Sequence, residues 1–234
     1  MGIQLENINK KFNGLLLFRN FNLHLDEHKI SCILGPSGCG KTSLLNMIGG
    51  ILTQDSGIIR GMEKKLMSFI FQEPCLLPWK NVWSNLAFVL SDLPASEKEY
   101  IINRNLQFVG LQSFADYYPE YLSGGMKQRV AIARAFSYPS DIILMDEPLK
   151  ALDPKLKWNL MKTFKELWDK DRRTVIFVTH DVDEALVMGE EIYIFSKPPA
   201  RVKKHITNHL PETEKKMGHM NFLQTKNDIL AHLD

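Results

Sequence analysis

Residues 30 to 48 read ISCILGPSGCGKTSLLNMI: an apolar run, a loop with three glycines and no acidic residue, then apolar positions at helical spacing. The run is continuous in apolar character rather than alternating, so it describes a strand buried on both faces. Gly35, Pro36, Ser37, Gly38, Cys39, Gly40, Lys41, Thr42 and Ser43 then fit GxxxxGK[ST] in the strand, loop and helix setting of a phosphate-binding loop. The chemistry explains the composition. Backbone N–H groups and a helix N-terminus surround phosphate oxygens closely only where Cβ atoms are missing, Lys41 adds a point charge, and Thr42 adds a hydroxyl for magnesium.

Working outward, further apolar runs recur with helical patterns between them: LMSFIF, DIILM, TVIFV and EIYIF. They predict an α/β fold with a mainly parallel sheet covered on both faces. The first thirty residues differ, because IQLENI and FNLHL alternate and Asn13-Gly14 is a turn candidate, so an antiparallel β layer is expected there. Between LMSFIF and DIILM no strand is legible, whereas Ser96 and Glu99 read as a capping box, Ile102, Leu106 and Val109 share a helix face, and Gly110 is a stop. This predicts one nucleotide-binding domain over residues 1–234 with an α-helical lobe inserted at about 80–137, boundaries good to a few residues.

With 29 basic and 27 acidic residues the net charge is +2, which lacks the excess of a phosphate-backbone binder, and no nucleic acid is expected as partner. No apolar run approaches the eighteen or more residues of a membrane span, and the N-terminus lacks a signal-peptide layout, so a soluble cytosolic chain is expected. Cys32, Cys39 and Cys75 are odd in number and form no CxxC, which argues for reduced thiols rather than a disulfide framework or a zinc site.

DIILMDEP places Asp146 and Glu147 at the end of a buried strand, where two carboxylates are costly unless a cation or a polarised water uses them. Asp146 is expected to hold magnesium and Glu147 to accept a proton from attacking water. His180 ends another buried run at the same edge, within reach of a γ-phosphate and Glu147, although a strand-end histidine is often structural. Gln72 ends LMSFIF, and its amide suits magnesium or water and a reporting role through EPCLLPWKNVW. Ser123, Gly124 and Gly125 precede an Arg- and Ala-rich helix, making a second potential anion site.

Taken together, these motifs resemble the ATP-binding subunits of ATP-binding-cassette (ABC) transporters over most of the chain. GPSGCGKTS looks like their Walker A motif, LSGGMKQR their signature motif and IILMDEP their Walker B motif. Gln72 falls at the Q-loop, Ala151-Leu152-Asp153 at the D-loop and His180 at the switch histidine, all in the family's order. The resemblance implies a P-loop NTPase, RecA-like core that binds ATP and Mg2+. It also implies a head-to-tail homodimer, in which Ser123 to Gly125 of one chain close on nucleotide held by the other and Asp153 lies near that interface. Phe12 sits where the family stacks an aromatic on adenine, the alternative being a buried core phenylalanine.

QEPCLLPW, LSGGMKQR with Met126 where glutamine is widespread, and the passage SKPPARVKKHITNHLPE are similar to the importer branch for nitrate, sulfonates and taurine. That branch implies an integral-membrane permease, an extracytoplasmic solute-binding protein and a peripheral location on the cytoplasmic face of the cell membrane. Leu76, Leu77 and Trp79 are candidates for the groove that receives a permease helix, or for a loop packing its own apolar residues. Against the branch, the stretch between the Walker A helix and LMSFIF is short, and Lys150 stands before ALD where a small residue is commoner. The acidic residues Asp181, Asp183 and Glu184 read as the N-terminal charge of a helix reaching about Met188, and MNFLQTKNDILAHL as a terminal helix. An ABC-type ATPase of a soluble assembly, an exporter ATPase and a non-catalytic nucleotide-binding regulator are the other readings.

Overall fold

The computed structural model describes residues 2–12, 14–150, 152–216 and 218–233. In chain order it opens with β1 (Ile3–Phe12), β2 (Leu15–Leu25) and β3 (Ile30–Leu34), then α1 (Lys41–Ile48), β4 (Ser56–Arg60) and β5 (Met67–Ile70). Three helices follow, α2 (Val82–Ala87), α3 (Ala95–Phe108) and α4 (Gly124–Ser137), before the chain returns to the sheet at β6 (Ile142–Asp146). It then alternates through α5 (Pro154–Asp171), β7 (Thr174–Val178), α6 (Val182–Met188) and β8 (Glu191–Phe195), and ends with β9 (Val202–Thr207) and α7 (Met220–Leu233).

The large sheet has the order β5-β6-β7-β3-β8-β9, parallel except for the β8–β9 pair. Every position of β3, β6, β7 and β8 is buried, as expected for strands covered on both faces. Successive side chains feed opposite layers. Ile143 and Met145 join the layer under α4, α5 and α6, whereas Ile142 and Leu144 join the one containing α1 and the N-terminal strands. Each such side chain contributes about 1.5–3 kcal/mol of burial free energy, which is why a one-residue register slip is excluded.

The small sheet, β2-β1-β4, is antiparallel and packs its apolar face on the second layer through Ile3, Leu5, Phe18 and Phe21. Phe12 pairs with Leu15 across the expected turn, of which Asn13 lies outside the described residues. Two strands escaped the sequence reading. β4 has Ile58 and Ile59 flanked by Gly57 and Arg60, too short a pattern to stand out, and it alone occupies the shortened stretch between α1 and β5. β9 lies inside the passage SKPPARVKKHITNHLPE, where it adds an antiparallel edge to the sheet.

In the helical stretch, α3 buries Ile102 and Leu106, Val109 is buried just beyond, and Gly110 at φ +64° takes the left-handed conformation that ends the helix. Ser96 is not its cap: the helix begins one residue earlier, behind Pro94, whose fixed φ presets the first turn without a side-chain hydrogen bond. α3 and α2 pack against α4, and buried Asn105 of α3 donates to Ser137 Oγ at 2.8 Å. α5 starts on a side-chain cap, with Asp153 accepting from Leu156 N at 3.0 Å and Pro154 in the first turn.

Candidate functional site

The loops that follow β3, β5, β6 and β7 all leave one edge of the parallel sheet, where such folds open their ligand crevice. Register fixes their neighbourhood. Val178 lies opposite both Ile33 and Asp146, and Ile70 lies opposite Met145, so the residues after these positions emerge side by side.

The loop between β3 and α1 is packed from behind. A Cβ at Gly40 would stand 2.8 Å from the Phe18 ring and 3.0 Å from Leu17, and Gly40 itself is at φ +104°, so no other residue fits. Cys39 is buried, and burial pushes its thiol up, with Lys41 offsetting only part of that. The decisive group is Lys41. Its side chain is buried and its Nζ donates to the carbonyls of Gly35 at 2.7 Å and Pro36 at 3.1 Å. No carboxylate among the described residues pairs with it, and α1 has no acidic residue in its first turn. A buried ammonium held by neutral oxygens beside free helix N–H groups is a site built for an anion.

Asp146 ends β6 and is buried; burial raises its carboxyl, and a hydrogen bond with the Thr42 side chain works against that rise. The two oxygens are donors of the type magnesium takes. Among the described residues no cluster of three or more His, Cys, Asp or Glu forms a self-sufficient metal cage. One or two protein oxygens of this kind suffice where substrate phosphates complete a magnesium ion's coordination.

Glu147 is held in the left-handed region at φ +43°, which costs a non-glycine residue about 1–2 kcal/mol. The strain is offset by its N–H bonding to Val178 O at 2.9 Å and by the burial of Leu149 just after it. This backbone turns the carboxylate toward the β7 loop, where His180 Nδ1 lies 3.2 Å from Oε1; on the other side Lys150 Nζ lies 2.9 Å from Oε2. Burial raises the Glu147 carboxyl, but Lys150 and His180 together outweigh it and hold it below the usual carboxylate range.

The remaining expected residues lie elsewhere. Gln72 is exposed and its side chain bonds to none of these groups, yet its segment is fastened: Gln128 of α4 donates to Phe71 O at 3.2 Å and Arg134 to Cys75 O at 3.0 Å. Ser123 caps α4, accepting from Met126 N at 3.3 Å, and Gly124 faces open space. Asp153 is exposed and caps α5, while Phe12 is 39% exposed at the end of β1 rather than in the core. Ala151 lies outside the described residues. Of the apolar segment, Leu76 packs on the core, Leu77 is half-buried and Trp79 is 71% exposed, with Cys75 an exposed thiol beside them.

Some residues were invisible to sequence reasoning. Asn85, fully buried, bonds both the N–H and C=O of Leu77 and so braces the segment after Gln72. Lys157 of α5 pairs with Asp181 Oδ2 at 3.1 Å and Glu184 Oε1 at 2.6 Å, and Thr179 donates to Glu184 Oε2, which clamps the residues on either side of His180. Glu184 lies in the first turn of α6, as its reading as N-terminal helix charge expects, and is also buried in a network whose partners no sequence spacing announces.

The family model described as ABC transporter matches residues 18–150. The chain is 35% identical to the taurine import ATP-binding protein of Ruegeria pomeroyi, over 98% of this chain and 93% of that protein. It is 34% identical to the nitrate import ATP-binding protein of Synechocystis, over 92% and 85% respectively. Its fold matches, with a TM-score of 0.79 and 29% identity, a dimeric ATP-binding cassette in a post-hydrolysis state bound to ADP and Pi, covering 89% of this chain and 100% of that one. With the phosphate-type loop, the strand-end carboxylates and the histidine brought to one edge, this chain belongs to the ABC transporter family and is one of its ATP-hydrolysing cassettes.

Proposed function

We propose that this chain powers an importer for a small solute of the nitrate, sulfonate or taurine kind, as a head-to-tail homodimer seated on a membrane permease at the cytoplasmic face. Residues 1–234 act as one cassette, with the helices of about 80–137 as the lobe that moves. The observation that carries the reading is the buried Lys41, held by carbonyls and by no carboxylate among the described residues, at the sheet edge that also carries Asp146, Glu147 and His180. The importer half is supported by the taurine and nitrate relatives, and a solute-binding protein outside the cell belongs to the same reading. Among the described residues no helix is long and apolar enough to cross a membrane.

In this reading the loop amides and Lys41 hold the β- and γ-phosphates, and Phe12 stacks on the adenine. Thr42, Asp146 and Gln72 are the residues that would hold magnesium, which would neutralise phosphate charge there. Glu147 takes the proton of the attacking water, and His180 holds the Glu147 carboxylate and reaches the γ-phosphate. Ser123, Gly124 and Gly125 close from the second chain, with Asp153 of each chain beside the seam. Because Gln128 and Arg134 tie α4 to the segment after β5, closure carries Gln72, Leu77 and Trp79 with it, and Trp79 delivers the movement to the permease.

The test is recovery of the tagged chain from native membranes in mild detergent, followed by mass spectrometry. A multi-span permease in the complex is the expected result. Ribosomal proteins, DNA or no reproducible partner would overturn the importer reading and leave an ATPase of a soluble assembly.

A further inference from the structure

Lys150 is the residue that departs from the family pattern, and it touches the group on which hydrolysis depends. Pro148 and Leu149 form a turn closed by Lys150 N donating to Glu147 O at 3.3 Å, and buried Leu149 and Leu152 anchor that turn to the core. The turn folds the lysine side chain back over Glu147, placing Nζ 2.9 Å from Oε2 while His180 Nδ1 lies 3.2 Å from Oε1. Each carboxylate oxygen thus has its own partner. The Lys150 contact is an ion pair rather than an aligned hydrogen bond, and its ammonium occupies the approach to Oε2, so a water must displace it to deliver a proton there.

We propose that Lys150 is a positioning residue that latches Glu147 in the nucleotide-free chain. It lies between the strand-end carboxylate and the Leu152–Asp153 segment that the dimer reading places at the seam, so closure of two chains draws Lys150 off Oε2. His180 keeps Oε1, and Oε2 becomes available to water. The latch sets a resting rate below that of a cassette with a small residue at this position. It rests on the assignment of Glu147 as the base. Lys150 is half-exposed, and such pairs are weak, so the effect is modest and lies in the closure that frees Oε2, which kcat reads, rather than in nucleotide affinity.

Two measurements on the full chain test this. In the nucleotide-free protein, reductive methylation of each lysine is followed by mass spectrometry; Glu147→Gln should speed modification of Lys150 roughly two- to five-fold, the factor a half-exposed pair supports, relative to the other lysines. In steady-state ATP hydrolysis, Lys150→Ala should raise kcat by about the same factor with KM little changed, and Lys150→Arg should keep the parent rate. Unchanged methylation in the Glu147→Gln protein, or a Lys150→Ala kcat at or below the parent value, overturns the latch. The methylation needs no nucleotide, so it can fail while the ATPase reading stands; conversely, parent-rate hydrolysis by Glu147→Gln would remove Glu147 as base and the latch with it.

Discussion

Two helix N-termini in this chain are approached by glycine-bearing loops, at Lys41 and at Gly124, and they are built in opposite ways. Around Lys41 the loop is walled by Phe18 and Leu17, its cysteine is buried, and an ammonium waits among neutral carbonyls. Around Gly124 the loop is exposed, Ser123 turns its hydroxyl inward to cap its own helix, and a side chain at Gly124 would meet nothing. The magnitudes separate their tasks. A charge-assisted hydrogen bond is worth about 1.5–3 kcal/mol, whereas an exposed helix N-terminus offers about 0.3–1 kcal/mol. In the proposed cycle the first loop therefore captures nucleotide alone, and the second closes on nucleotide already captured.

The sharpest way to separate capture from turnover is Glu147→Gln. It should lower hydrolysis by at least about a hundred-fold, the low end of general-base effects, while equilibrium ATP binding persists and a dimer accumulates on size exclusion. Loss of ATP binding in that variant would mean that the Lys41 loop does not act alone.

The next test breaks the comparison directly. Lys41→Ala should weaken ATP binding by roughly ten- to a hundred-fold, as expected for losing a charge-assisted contact. Gly124→Asp, where open space makes the fold tolerant, should leave binding intact and stop hydrolysis. Mixing the two inactive proteins should then restore activity, because the mixed dimer has one site with an intact loop from each chain. Persistent inactivity of the mixture would show that the two loops serve the same chain.

The smallest expected effect is that of Asp153→Ala. Removing the cap of α5 should cost about 1 kcal/mol of stability in a denaturation curve. A much larger fall in hydrolysis than in stability would place Asp153 at the seam as well as on its own helix.

The Lys41 loop was legible from sequence because its chemistry is local: spacing alone fixes strand, loop and helix. The runs ISCIL, IILMD and TVIFV were equally legible, since burial on both faces leaves only apolar residues. β9 was not, because its exposed positions carry Lys203 and His205 and an edge strand with one solvated face looks like a charged tail. The clamp of Lys157 on Asp181 and Glu184 was hidden for a different reason: it joins α5 to α6 across intervening β7, and nothing at either end signals the other. Lys150 was noticed as an oddity, but its contact with Glu147 depends on a positive φ that residue types alone do not reveal.

The thiols give the molecule a practical asymmetry. Cys32 and Cys39 are sealed in the interior, whereas Cys75 is exposed in the segment that Gln128 and Arg134 fasten to α4. A maleimide fluorophore should therefore attach at a single point, on the segment that the proposed cycle moves and near Trp79 in the chain. Spectroscopic distances between the two copies, or from cassette to permease, can then be followed through a catalytic cycle in the natural sequence, without first engineering a cysteine-free background.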